Sequence, residues 1–283
     1  MKRPGVLREI RRHLLIYAAL APFLLIALFP VFWMAITAFK QEAELYRMDQ
    51  VPFWFHLPPT LEHFQTLFAR TYFGTLMLNT ALLMALVVLI TLVTAVPAGY
   101  VLARLRLPGS QTLATAIFAT YLVPPIILFL PLARVVGILG LFDSWWALLV
   151  VYPTFTIPFC TWLLAAFFKT LPPAIEEAAW VDGCGLASGI VRVVVPLSWP
   201  GIVIATIFTC TLSLNEVLYA VVYVGVREQK TITAGLTSAL IRGDIFDWGS
   251  LMAAALMVGL PAALLYLFFI DHFIQSISGT VND

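Results

Sequence analysis

Apolar runs long enough to cross a lipid bilayer recur along this chain, and nothing else constrains its fold as tightly. Six are present: Leu14–Phe39, Phe73–Ala103, Thr112–Leu132, Trp145–Phe168, Ile202–Val224 and Leu251–Ile270. About 20 apolar residues suffice to span the hydrocarbon core as a helix. Inside lipid, only helices satisfy every backbone donor and acceptor without closing a barrel. The expected fold class is therefore an all-α integral membrane protein with six transmembrane helices. Composition agrees: 61% of the residues are hydrophobic and 11% charged, whereas soluble domains carry roughly a quarter charged residues. With 16 basic and 15 acidic residues the net charge is close to zero, which gives no footprint for nucleic acid.

Charge at the N-terminus orients the spans. Lys2, Arg3, Arg8, Arg11 and Arg12 precede the first apolar run. That run is longer than the core of a signal peptide and lacks a small-residue cleavage site, so it reads as an uncleaved first span. Basic residues favour the cytoplasmic side, and an even number of crossings returns the C-terminus there. The chain then divides into a cytoplasmic segment 1–13, a six-helix membrane domain 14–274 and a cytoplasmic tail 275–283. Arg104, Arg106 and a polar loop at 171–197 fall on the same side.

Several spans hold prolines: Pro22, Pro30, Pro97, Pro124, Pro125, Pro153, Pro158 and Pro261. Each removes a helical hydrogen bond and permits a kink. Such prolines are either ordinary membrane-helix tolerance or the bends of helices that line a path. Pro124-Pro125 is the pair most able to force a break. In the long outer segment 40–72, Thr60 can cap a short helix carrying Leu61, Phe64, Leu67 and Phe68 on one face, and Trp54 and Phe55 suit an interfacial belt.

The polar loop carries its own start and stop signals. Leu171-Pro172-Pro173 ends the preceding span and presets a helix start. Glu176 and Glu177 then occupy the first turn, where the helix dipole favours negative charge. Asp182-Gly183 and Gly185 close that helix, and a second one is expected from Ser188 to Val195, ending at Pro196. Glu177 and Asp182-Gly183 could serve only the helix dipole and a turn. Alternatively, the small pair Ala178-Ala179 admits a close partner whose arginine the neighbouring carboxylate meets bidentately.

Glu177-Ala178-Ala179, Asp182-Gly183 and Pro196-Leu197 together resemble the cytoplasmic EAA loop of ABC importer permeases. Cys184, Val193 and Val195 depart from that pattern without changing charge or turn. Further resemblance is to the MalG-like permeases of carbohydrate importers. It rests on Pro30-Val31-Phe32-Trp33-Met34, Tyr100 to Arg106 with Pro108-Gly109, Gly140 to Trp145, Pro158-Phe159, Asp247-Trp248-Gly249 and Met252-Ala253-Ala254. Leu214-Asn215-Glu216 stands where that family often has Trp-Asn-Glu, and the C-terminus lacks the family's usual basic close.

The resemblance implies a type I ABC importer permease fold with a cytoplasmic coupling helix. Glu176, Glu177, Ala178, Ala179, Asp182, Gly183 and Pro196 would couple it to an ATPase. It implies a non-catalytic subunit that binds no cofactor, with ATP and Mg held by partner ATPase subunits. Two such ATPases, a second and distinct permease, a periplasmic or extracellular solute-binding protein and membrane lipid would be its partners. The place implied is a bacterial or archaeal inner membrane.

The residues themselves fit that division of labour. There is no GxxxxGK[ST] phosphate loop, His13, His56, His63 and His272 are scattered, and Cys160, Cys184 and Cys210 are isolated, so no metal site is expected. Polar residues inside spans are functional candidates. Asn215 and Glu216 either brace two helices or line a solute path with Tyr219, and Tyr121 and Tyr152 are further path candidates. Asn79 reads as a contact between packed helices. Arg227, Lys230, Thr231, Thr233 and Gly235 lie in the outer loop expected to face a binding protein. A sugar, disaccharide, oligosaccharide or polyol suits planar hydrogen-bonding groups beside aromatic faces. Another ABC solute such as an amino acid, phosphate or glycerol phosphate, or a standalone secondary transporter, stays open at this point.

Overall fold

The computed structural model describes residues 6–278 apart from 48, 50, 106, 107 and 244. Lys2, Arg3, Arg106 and the tail residues 279–283 thus lie outside the described residues. In order, the helices are α1 (Val6–Phe39), α2 (Glu42–Leu45), α3 (Glu62–Arg70), α4 (Phe73–Arg104), α5 (Ser110–Tyr121), α6 (Pro125–Ile138), α7 (Trp146–Val151) and α8 (Pro153–Phe168). There follow α9 (Pro173–Val181), α10 (Leu186–Gly189), a π-helical turn Ile190–Val194, α11 (Val195–Leu197), α12 (Trp199–Asn215), α13 (Leu218–Tyr223), α14 (Ile232–Leu240) and α15 (Trp248–Ser278). Among the described residues four continuous helices are long and apolar enough to cross a membrane, and the number reaches six if each of two bent pairs counts as one span: α5 with α6, and the α10–α11 stretch with α12. The only strands among the described residues form one short antiparallel ladder, β1 (Ile241–Arg242) with β2 (Ile245–Phe246).

Contacts divide the chain into two compact units. The first joins Met1–Thr71 to Leu240–Pro261. Within it the Phe39 carbonyl accepts a hydrogen bond from the Thr60 N–H at 2.8 Å, closing the outer segment onto the end of α1. Glu44 organises that segment: its carboxylate meets Lys40 Nζ at 2.9 Å and accepts from the His56 and Leu57 N–H groups at 3.0 and 3.3 Å. Burial alone would raise its pKa, but these donors prevail and hold it at about 2, against an ordinary 4.5. The expected helix after Thr60 forms as α3, with the Thr60 hydroxyl accepting from the Glu62 N–H at 3.1 Å. It buries His63 and Leu67 and leaves Leu61 and Phe68 exposed. Asp247 Oδ1 accepts from the Ser250 N–H at 3.0 Å and caps the start of α15.

The second unit joins Tyr72–Ala239 to Ala262–Asp283 and holds both candidate sites. Its centre is the packing of α4 along α8, with α12 laid against both. Gly99 permits the close approach: a Cβ there would sit 3.1 Å from the Ala165 nitrogen and the Thr161 oxygen. The buried Thr91 and Thr156 hydroxyls hydrogen-bond across the same seam at 2.6 Å. Asn79 does not join two helices as expected. Its Nδ2 donates to the carbonyls of Glu228 and Lys230, at 2.7 and 3.2 Å, and so fastens a loop.

Three bends shape this unit. Pro124-Pro125 breaks the third span as expected, and α5 meets α6 at 91°. Of the fifth span, expected to be continuous from Ile202 to Val224, only part is one helix: α12 stops at Asn215, Glu216 is extended (ψ 118°), and α13 restarts at Leu218. No proline or glycine is responsible. The Glu216 carboxylate instead receives the free N–H groups of the new helix start, as described below. Lastly, Pro196 does not end the helix before it. The π-helical turn Ile190–Val194 comes before Pro196, Pro196 enters the first turn of α11, and the 80° bend falls at Ser198.

Candidate functional site

The polar loop forms a compact hairpin. α9 ends on Gly183 at φ +87°, with the Gly183 N–H bonded to the Trp180 carbonyl and the Cys184 N–H to the Ala179 carbonyl, both at 3.0 Å. Those bonds form the Schellman motif, which satisfies carbonyls the helix would otherwise leave unpaired. Trp180 lies over Gly189, whose added Cβ would come within 3.7 Å of the indole nitrogen, so the two arms close against each other. The exposed face carries Glu177, Ala178, Trp180, Val181 and Asp182. Val181 is 88% exposed, and an apolar patch rimmed by acids is the usual signature of a docking surface.

Of the expected coupling residues, Glu176 and Ala179 turn inward, whereas Glu177, Ala178, Asp182 and Gly183 face out. Glu176 meets Arg104 Nε at 2.7 Å and accepts from the Tyr100 hydroxyl at 2.8 Å. Arg104 also donates to the Leu171 carbonyl at 2.7 Å. The sequence reading gave Arg104 no part in the coupling loop.

At the two broken spans lies a cavity of about 690 Å³. Tyr121, Asn215, Glu216 and Tyr219, all expected on a path, line it together with Phe155, Pro124, Pro125 and Leu218. Tyr152 does not line it: fully buried, it donates its hydroxyl to Glu216 at 3.1 Å from behind. Glu216 also accepts from the N–H groups of Tyr219 and Ala220, at 2.9 and 3.2 Å, and so caps α13. A helix broken inside lipid leaves N–H groups that must find acceptors, and a carboxylate at a helix N-terminus is favoured besides. The Tyr219 hydroxyl donates to the Pro125 carbonyl at 2.6 Å, which ties one break to the other. Asn215 donates to the Thr211 carbonyl at 2.9 Å and is exposed to the cavity, with its amide oxygen and second N–H available. Phe155 and Leu218 were not anticipated. The Pro124-Pro125 pair was the sequence signal that could have pointed to this level of the fold.

The loop expected to face a binding protein packs in part on α4. Lys230, Thr231 and Gly235 are buried, Thr233 is half-buried and Arg227 is exposed. Lys230 Nζ donates to Ser238 Oγ at 2.9 Å, and the Ile232 N–H donates to the Thr80 hydroxyl at 2.7 Å. Gly235 lies so near Leu76 that a Cβ would come within 2.5 Å of its methyl carbon. Of the five residues expected there, Arg227, in a 3-10 turn at Arg227–Gln229, is the exposed one. Among the described residues no group of His, Cys, Asp or Glu could hold a metal ion.

Known proteins share this architecture. One solved structure, a bacterial ABC transporter involved in the import of the acidic polysaccharide alginate, matches with a TM-score of 0.79 at 19% identity, over 96% of this chain and 100% of that one. The chain is 30% identical to the inner membrane ABC transporter permease protein YcjP of Escherichia coli, over 92% of both chains. It is 31% identical to the sulfoquinovosyl glycerol transport system permease protein SmoH of Agrobacterium fabrum, over 93% of this chain and 91% of that one. Residues 95–279 match the family of binding-protein-dependent transport system inner membrane components. The chain therefore belongs to that family, and is a multi-pass, non-catalytic permease subunit of an ABC transporter.

Proposed function

We propose that this permease imports a sugar or sugar-like solute, such as a disaccharide, an oligosaccharide or a polyol, with the cavity at the two broken spans on its path. The observation that carries the reading is the cavity lining. Tyr121, Phe155 and Tyr219 line the cavity together with the exposed Asn215 amide and aliphatic side chains, and the one carboxylate in the lining is occupied by its helix cap. Aromatic faces and neutral hydrogen-bonding groups recognise a polyhydroxylated solute. The name of SmoH, which ties a relative to a sulfoquinovosyl glycerol system, points the same way.

In this reading the exposed face of α9 docks on an ATPase subunit, with Glu177 meeting an arginine. Two ATPases, which hold the ATP and Mg, a second and distinct permease and a solute-binding protein complete the importer. Both termini are cytoplasmic, in keeping with the basic start of the chain, and the exposed turn at Arg227 faces the binding protein. ATP binding and hydrolysis favour one state and then the other, so the cavity opens to each side in turn.

The test begins with tagged chain purified in mild detergent together with its partners. The complex is reconstituted into proteoliposomes and assayed for ATP-dependent uptake of labelled saccharides, polyols and amino acids. Uptake of a saccharide or polyol is expected, with Asn215→Ala raising its KM about tenfold through loss of one or two hydrogen bonds to the solute. Uptake confined to amino acids would overturn the substrate class, and purification without any ATPase would overturn the importer.

A further inference from the structure

Glu176 and Glu177 are adjacent and acidic, yet the structure gives them opposite surroundings. Glu177 is exposed. The Glu176 side chain is 8% exposed and the Arg104 side chain 13%. Glu176 meets two partners on α4: Oε2 accepts a hydrogen bond from the Tyr100 hydroxyl at 2.8 Å, and Oε1 lies 2.7 Å from Arg104 Nε as an ion pair without hydrogen-bond alignment. Tyr100 and Arg104 are four residues apart, so they stack on one face of that helix. The same guanidinium reaches the Leu171 carbonyl at 2.7 Å, just before the hairpin begins. Tyr100 is also packed edge-on against Phe168, with ring centroids 6.3 Å apart, at the end of α8.

We propose that Glu176 is a positioning residue that locks the coupling helix α9 to the end of α4, so that movement of α9 is passed into the membrane bundle. This rests on the importer reading above. α9 packs mainly on its own hairpin, against α10 and the π-helical turn. The polar clamp ties α9 directly to α4, beside the covalent link at Leu171 and the apolar base of the hairpin, where Ile190, Val194 and Val195 share a core with Tyr100, Leu164 and Phe168. α4 in turn packs along α8 and α12, which carry Phe155 and Asn215 of the cavity. A buried ion pair adds little net stability compared with apolar packing, but losing one partner leaves a buried charge unpaired. What such a pair does supply is a fixed geometry, here a direct tie between α9 and α4. Without the clamp, the hairpin would still dock through its exposed face, but a push on α9 would reach α4 only indirectly, through the apolar base of the hairpin.

The experiment uses the assembled complex, comparing wild type with Glu176→Gln, Tyr100→Phe, Arg104→Lys and the exchanged pair Glu176→Arg with Arg104→Glu. Three quantities are read: ATPase co-purified per chain, ATPase stimulation by solute-loaded binding protein, and solute transported per ATP hydrolysed. Glu176→Gln is expected to retain the ATPase while its stimulation and transport per ATP both fall about tenfold. Tyr100→Phe should give a smaller loss, and the exchanged pair should recover at least a third of the wild-type ratio. Should Glu176→Gln fail to fold, as judged by gel filtration, Tyr100→Phe and Arg104→Lys carry the test. Stimulation and transport per ATP within twofold of wild type in every folded variant would overturn the clamp. Loss of ATPase from folded Glu176→Gln would also overturn it, by making Glu176 a docking residue. A wild-type chain that brings down no ATPase would instead remove the importer reading, and the clamp with it.

Discussion

Two glycines in the hairpin, Gly183 and Gly185, should respond to substitution in opposite ways, and the reason is backbone geometry alone. Gly183 has φ +87° and nothing within 4 Å of an added Cβ, so Gly183→Ala meets no clash. Its penalty is that of placing an L-residue in the left-handed region, about 1–2 kcal/mol. Since each 1.4 kcal/mol is a factor of ten, the closed hairpin should lose roughly five- to thirtyfold in its folded-to-open ratio. Gly185 has φ −75° and ψ 168°, ordinary extended backbone, at the N-cap of α10. Gly185→Ser should therefore be neutral or slightly stabilising, serine being a preferred cap. Hydrogen exchange of the Gly183 and Cys184 amides reads the difference, because their bonds to Trp180 and Ala179 hold the turn. Exchange should quicken roughly five- to thirtyfold in Gly183→Ala, less in Gly183→Asn, since asparagine tolerates this region, and not at all in Gly185→Ser. Equal exchange in Gly183→Ala and wild type would refute the argument, since no contact of the new methyl can offset the strain.

Two further outcomes follow from packing and charge. The Glu44 carboxyl is held at about 2 in the folded outer segment against an ordinary 4.5, so its contribution to stability is complete above about pH 4.5 and is lost as pH falls toward 2. Pepsin cleavage near the exposed Phe53-Trp54-Phe55 should rise steeply across that window, and Glu44→Gln should be cleaved readily at every pH; a wild-type rate flat from pH 5 to 2 would contradict this. Gly99→Leu must push α4 and α8 apart, because its Cβ already meets backbone at 3.1 Å. We expect a loss of about 1–3 kcal/mol, seen as a lower Tm in detergent, while Gly74→Ala, with nothing within 4 Å of its Cβ, should leave Tm unchanged.

What the sequence revealed depended on how locally each feature is encoded. Spans are legible because the bilayer imposes length and apolarity on every one of them. The hairpin is legible because glycine at a left-handed position and proline at a helix start act within a few residues. Pro196 misled because a π-helical turn can precede a proline and let helix continue through it, and nothing in Ile190–Val194 announces that turn. The outer loop was legible only in part. Its polar flanks suggested exposure, yet Ile232, Leu236 and Leu240 recur at the spacing of a buried helical face and were the stronger signal. The clamp between Glu176 and Arg104 had no local signature, since it joins residues on separate helices.

The break in the fifth span shows how an intramembrane carboxylate can be explained without a charged cargo. Left uncapped, the start of α13 would present N–H groups to a low-dielectric interior, each costing several kcal/mol. Glu216 meets two of them with its carboxylate and is itself held by the Tyr152 hydroxyl. The arrangement is closed, with donors and acceptor all on this chain. An acid committed in this way does not need a proton or cation to account for its place in the span, which removes the main sequence argument for a standalone secondary transporter. It also leaves Asn215, next to it and exposed, as the polar group at the break with hydrogen-bonding capacity to spare. A capped acid and an uncommitted amide on consecutive residues thus differ in role: one keeps the helix broken, and the other keeps hydrogen-bonding groups free at the cavity.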